Sequence, residues 1–138
     1  MPKPKRINSK ALVAAALEAQ RRAVAPYSRF KVGAALLTDS GEIITGANVE
    51  SASYGLSCCA ERVAIFKALT DGVTDFRAAA VVSPGGVTPC GACRQLLIEY
   101  ATDAVLFVAD SRKPDTIRRF RVRDLLPAAF TNIPPVLP

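Results

Sequence analysis

Cys59-Ala60-Glu61 and Cys90-Gly91-Ala92-Cys93 are the residues of this chain best equipped for chemistry. Three thiolates can hold a zinc ion and leave its fourth position open for water. A glutamate two residues from a ligand can take the proton that such a water must lose and deliver it elsewhere. The pattern reads as a hydrolytic metal site. The chain contains no histidine. Ser-His and Cys-His catalysis are therefore excluded, and any zinc must be held by sulfur, with at most carboxylate help.

Four cysteines in 138 residues could instead form two disulfides. Cys58 and Cys59 are adjacent and cannot easily serve separate bridges, and Cys90/Cys93 have metal-ligand spacing. No secretory signal is read at the start of the chain, so a reducing cytoplasm and a metal fit better. A closed structural zinc clip would need Cys58 as a fourth ligand. In a helix beginning near Ser57, adjacent side chains point ~100° apart, which opposes Cys58 and Cys59 reaching one ion. Three thiolates over-neutralise Zn²⁺, so a nearby cation is expected. Arg62 and Arg94 are candidates to donate hydrogen bonds to the thiolates.

The elements that must position these residues are legible in outline. Lys10 to Ala25 has helical spacing, with Asn8 or Ser9 as cap. Phe30 to Thr38 reads as a strand, Asp39-Ser40-Gly41 as a turn and Glu42 to Ala47 as the returning strand. Asn48 to Leu56 is irregular and suits a site loop. Ser57 to Leu69 reads as a helix closed by Asp71-Gly72, which places Cys59 in its first turn. A strand over Phe76 to Ser83, a helix from Cys90 to Tyr100 and a strand over Ala104 to Asp110 follow. A last strand spans Ile117 to Val122, before a helical turn over Val122 to Leu126. This order predicts an α/β domain spanning 1–138, with a mixed sheet of about five strands and parallel strand-helix-strand crossovers. Residues 1–8 read as a basic tail and 131–138 as a proline-rich one.

Half of the residues are hydrophobic and 22% are charged, as in globular proteins. No apolar run approaches the ~20 residues of a membrane span. The net charge is +6, yet its densest cluster, Arg118, Arg119, Arg121 and Arg123, lies among strand-like residues and reads as a solvated edge. A nucleic-acid polymer is not expected as partner.

The sequence resembles the small homotetrameric cytidine deaminases over nearly its full length. The resemblance is carried by Pro26 to Ala35 (PYSRFKVGAA), Gly46-Ala47-Asn48-Val49-Glu50, Ala52-Ser53-Tyr54-Gly55, Cys59-Ala60-Glu61-Arg62, Pro89 to Gln95 (PCGACRQ) and Leu125 to Phe130. It implies a three-layer α/β/α fold, with Cys59, Cys90 and Cys93 binding one zinc per subunit. Hydroxide on the zinc would attack C4 of cytosine, with Glu61 shuttling protons to N3 and to the departing amine. Cytidine and deoxycytidine would become uridine and deoxyuridine, in pyrimidine salvage. The resemblance gives Asn48 and Glu50 the ribose 3′-hydroxyl and Phe30 the base. It puts Phe130 in a neighbouring subunit's site and the Ala52–Tyr54 loop at that interface. Ser51, Cys58 and Val63 depart from the usual pattern without touching the proposed ligands or Glu61. Deaminases of other cytosine-bearing compounds, such as blasticidin S, lack the Asn-x-Glu pair present here.

Overall fold

The computed structural model describes residues 6–132. The basic tail expected over 1–8 and the proline-rich tail over 131–138 lie mostly outside that range. The described chain forms α1 (Ser9–Gln20), β1 (Gly33–Thr38), β2 (Ile43–Ala47), α2 (Ala60–Thr70), β3 (Phe76–Ser83), α3 (Gly91–Tyr100), β4 (Val105–Asp110) and β5 (Lys113–Arg121). Single 3₁₀ turns occupy Tyr54–Leu56 and Val122–Asp124.

The five strands form one sheet in the order β2-β1-β3-β4-β5. β3 and β4 are parallel, and the other neighbouring pairs are antiparallel. β2 and β3 consequently run the same way with β1 between them, so α2 and α3 are both crossover helices, as expected. Alternating side chains on the strands serve two cores. Ala34, Leu36, Val81 and Leu106 meet Ala64, Ile65 and Leu97 of α2 and α3. Ala35, Ala80, Val82 and Phe107 meet Leu12, Val13 and Ala16 of α1 on the opposite face. The result is the expected three-layer arrangement.

Local chemistry sets the element ends. Asn8 caps α1, its Oδ1 accepting from the Ala11 N–H at 3.0 Å. α2 closes at Gly72, whose φ of 81° suits glycine, with Val73 N–H donating to the Ala68 carbonyl in a Schellman arrangement. One helix end and two strand starts are corrected. α1 stops at Gln20 instead of running to Ala25, because Val24 pairs with the loop after β2: its N–H donates to Asn48 O, and its carbonyl accepts from Glu50 N–H. β1 starts at Gly33 instead of Phe30, because the Asn48 side chain takes the Phe30 carbonyl and the Val32 N–H. β5 begins earlier than expected, at Lys113. It tolerates Pro114 because it is an edge strand, and its arginines are exposed as expected.

Two glycines let helices sit against the sheet. A Cβ on Gly33 would lie 1.9 Å from the Ala16 carbonyl oxygen of α1. A Cβ on Gly46 would lie 2.5 Å from Ala64 N and 2.6 Å from Ala60 O of α2. Backbone cannot yield as a flexible side chain does. Gly46 therefore fixes how closely the first turn of α2, and Cys59 ahead of it, approaches β2. Replacing Gly46 with alanine should cost ~1–3 kcal/mol of stability, read as a lowered denaturation midpoint, and should weaken zinc binding in the same preparation. Native stability and native zinc affinity in Gly46→Ala would show that this contact does not set the helix position.

Candidate metal centre

The carboxyl ends of β2 and β3 lie at the same end of the sheet, where β1 begins and where α2 and α3 start. Open α/β sheets place ligands there. Cys59 is the N-cap of α2 (φ −68°, ψ 154°) and Cys90 the N-cap of α3 (φ −68°, ψ 170°). Cys59 was expected inside the first turn of a helix from Ser57; the helix starts three residues later, at Ala60, because Cys58 is held in extended backbone. Its N–H donates to Val49 O at 2.8 Å, and its carbonyl accepts from Val49 N–H at 3.0 Å. Neighbouring side chains on an extended segment point to opposite sides, which separates Cys58 from Cys59.

Neither N-cap thiol caps its own helix; they converge instead. Cys59 Sγ lies 3.7 Å from Cys90 Sγ, and Cys90 Sγ lies 3.5 Å from Cys93 Sγ. All three sulfurs lie within 4.8 Å of one another. Among the described residues, this is the cluster of His, Cys, Asp and Glu donors able to hold a metal. A set of soft thiolates gathered this closely suits zinc, and three leave one position for another ligand.

The cluster accommodates negative charge. Cys59 is lowered to about 5 by a hydrogen bond from the Cys93 thiol, with help from Arg62 and Cys90. Cys93 is raised correspondingly, its proton held by Cys59. Two helix N-termini add their positive ends. Arg62 Nη2 donates to Cys59 Sγ and to the Ser57 carbonyl, both at 3.5 Å, which fits the expected role. Arg94 does not fit it. Its donors go to the Pro89 carbonyl, the Thr88 hydroxyl and the Leu125 carbonyl, none of them a thiolate. Burial raises the Cys58 thiol.

Glu61, in the first turn of α2, is 6% exposed. Burial raises its carboxyl, opposed by hydrogen bonds from its own backbone and from Cys93. A carboxyl raised in this way is easier to protonate, as a proton carrier requires. It faces a cavity of about 210 Å³ lined by Cys59, Cys90, Phe30, Val32, Val81, Val87, Ser28, Asn48 and Glu50 among others. Sequence reasoning singled out Phe30, Asn48 and Glu50 but missed Ser28 and Ser83, which carry no marked spacing.

Asn48 and Glu50 shape this cavity as well as lining it. Asn48 Oδ1 accepts from Val32 N–H and Nδ2 donates to the Phe30 carbonyl, each at 2.8 Å. The Glu50 carboxylate accepts from the Ser28 hydroxyl at 2.5 Å and from the Tyr27 and Ser28 N–H groups at 3.1 Å. The hydroxyl bond lowers the Glu50 carboxyl most, followed by the Ser28 N–H. Ala52, Tyr54 and Phe130 do not line the cavity. Tyr54 is 85% exposed beside an adjoining cleft that shares Ser28 and Glu50, and Phe130 is exposed with its carbonyl bound by Gln95.

Residues 6–109 match the family model of the cytidine and deoxycytidylate deaminase zinc-binding region. The chain is 45% identical over 123 residues to the cytidine deaminase of Sporosarcina psychrophila, covering 88% of this chain and 90% of that one. It is 47% identical over 123 residues to the cytidine deaminase of Halalkalibacterium halodurans, covering 87% and 92%. The crystal structure of cytidine deaminase from Burkholderia pseudomallei superposes with a TM-score of 0.85 at 46% identity, covering 90% of this chain and all of that one.

The opposed directions of Cys58 and Cys59 give a direct test. Cys58→Ser should retain about one zinc per chain by elemental analysis, whereas Cys59→Ser should lose most of it. The reverse pattern would mean that the metal register is shifted by one residue.

Proposed function

The chain belongs to the cytidine and deoxycytidylate deaminase zinc-binding family, and we propose that it hydrolyses cytidine and deoxycytidine to uridine and deoxyuridine, releasing ammonia. The observation that carries this reading is the meeting of Glu61 with the three-thiol cluster at one small cavity that also presents Asn48 and Glu50.

In this reading Cys59, Cys90 and Cys93 hold the zinc, and Arg62 offsets their charge. When bound, zinc supplies Lewis-acid chemistry, which makes water a usable nucleophile near neutral pH. Glu61 accepts a first proton from water and delivers it to ring N3, then accepts the remaining hydroxyl proton and passes it to the leaving amine. The C4–O bond forms first, as N3 is protonated, and the C4–N bond breaks afterwards, so water and cytidine balance uridine and ammonia. Exclusion of water around Glu61, evident in its burial, keeps these protons on a defined route.

The sugar is assigned by donor and acceptor capacity. Asn48 has two amide donors and two acceptor sites. The Phe30 carbonyl and Val32 N–H use one of each, leaving a donor free. A carboxylate has about four acceptor sites, and the Tyr27 and Ser28 groups use three on Glu50. The remaining Asn48 donor and the remaining Glu50 acceptor match a hydroxyl, here the ribose 3′-hydroxyl. Phe30, Val32, Val81 and Val87 offer apolar walls to the flat base. The cavity is below the ~300–1,000 Å³ typical of drug-sized ligands, which favours a nucleoside over a polymer strand. Exposed Tyr54 and Phe130 support a homotetramer in which the Ala52–Tyr54 loop and Phe130 serve neighbouring sites. Cytoplasmic pyrimidine salvage is the setting that accords with this substrate and with reduced thiols.

Purified protein mixed with cytidine should abolish the cytidine ultraviolet band. Glu61→Gln should keep its zinc while kcat falls ~10²-fold or more, the usual span of general acid–base contributions. Undiminished turnover in Glu61→Gln would remove Glu61 from the mechanism.

A further inference from the structure

Arg94 is half-buried on the first turn of α3, directly after Cys93. Its guanidinium is divided among three acceptors on two separate segments. Nε donates to the Pro89 carbonyl at 2.8 Å, and one terminal nitrogen to the Thr88 hydroxyl at 3.0 Å. Both acceptors lie on the loop that delivers Cys90. The other terminal nitrogen donates to the Leu125 carbonyl at 3.0 Å, on the C-terminal segment that follows β5. The next residue along the helix, Gln95, donates from Nε2 to the Phe130 carbonyl at 2.5 Å. Leu125 itself is buried in the core between α2, α3 and the sheet. Between these two anchors the backbone passes through Ala128 at φ 51°, a left-handed conformation that a non-glycine residue keeps only when its surroundings enforce it.

We infer that Arg94 is a positioning residue that ties the Thr88–Cys90 metal loop to the C-terminal segment Leu125–Phe130, so that zinc binding orders the segment that presents Phe130. Zinc fixes Cys90 and Cys93, and with them the Pro89 carbonyl and the Thr88 hydroxyl that orient the guanidinium. An oriented guanidinium holds the Leu125 carbonyl. The coupling is reciprocal: a segment docked on Arg94 steadies the loop that delivers Cys90. A planar fork with fixed divergent donors is needed to reach both segments at once. A lysine ammonium supplies the charge without that geometry.

This inference rests on the metal assignment proposed above and is independent of the substrate. The test follows Arg94→Lys and Arg94→Ala beside the native chain. Zinc affinity is measured by competition with a chromophoric chelator, and backbone amide exchange over residues 122–130 is measured with and without zinc. In the native chain, zinc should slow exchange in that segment ~10-fold, within the span of ordinary couplings between sites. Arg94→Lys should bind zinc ~10–100-fold more weakly, as expected for loss of a group that supports a ligand, and its segment should exchange at one rate whether or not zinc is present. Arg94→Ala should behave alike; if it fails to fold, the lysine variant carries the test alone. Native zinc affinity in Arg94→Lys, or a segment in that variant that still responds to zinc, overturns the inference while leaving the metal assignment standing. A native chain that binds no zinc overturns the metal assignment, and the inference with it.

Discussion

Three sulfurs held within 4.8 Å of one another repel once ionised, and the layout around them serves to make that crowding tolerable. The cluster sits where two helices begin, so the positive ends of both helix dipoles face it. Serine, threonine, asparagine or aspartate would ordinarily occupy the two N-cap positions and satisfy the helix from within. Cysteines stand there instead, and neither thiol caps its own helix. The helix ends give up local capping and gain a common focus. Arg62, reaching Cys59 from one turn along α2, adds a full positive charge.

That focus depends on the sheet bringing two helix starts together. α2 crosses from β2 to β3 and α3 from β3 to β4, and both begin at the same sheet end. The approach is close because the contact surfaces are small. Gly46 lies against Ala60 and Ala64, and alanines dominate the middle of β3. Larger residues there would push α2 outward and open the distance between Cys59 and the other two thiols. The tight layer packing and the metal cluster are therefore one constraint seen at two scales.

Much of this was legible in sequence because it rests on local rules. The Cys-x-Glu and Cys-x-x-Cys spacings marked the centre, Asp39-Ser40-Gly41 marked the hairpin, and Asp71-Gly72 marked the end of α2. What was not legible depends on contacts between distant segments. Phe30 to Val32 has strand-like composition, yet the Asn48 side chain occupies its backbone groups and turns it into a cavity wall. Ala23 to Ala25 suits a helix, yet Val24 is drawn into pairing with the Asn48–Glu50 loop. Arg94 was expected near a thiolate because it follows Cys93. A side chain on a helix covers the turn before its own Cα, and Arg94 reaches back to Pro89 and across to Leu125. Sequence separation alone gives no sign of that last contact.

The central claim is that three cysteines hold one zinc and leave a position open for chemistry. X-ray absorption at the zinc edge of the purified native chain tests it most directly. The expected result is three sulfur neighbours and one lighter atom. Four sulfur neighbours would make Cys58 a ligand and the site a closed structural one, and fewer than three would contradict the thiol cluster itself.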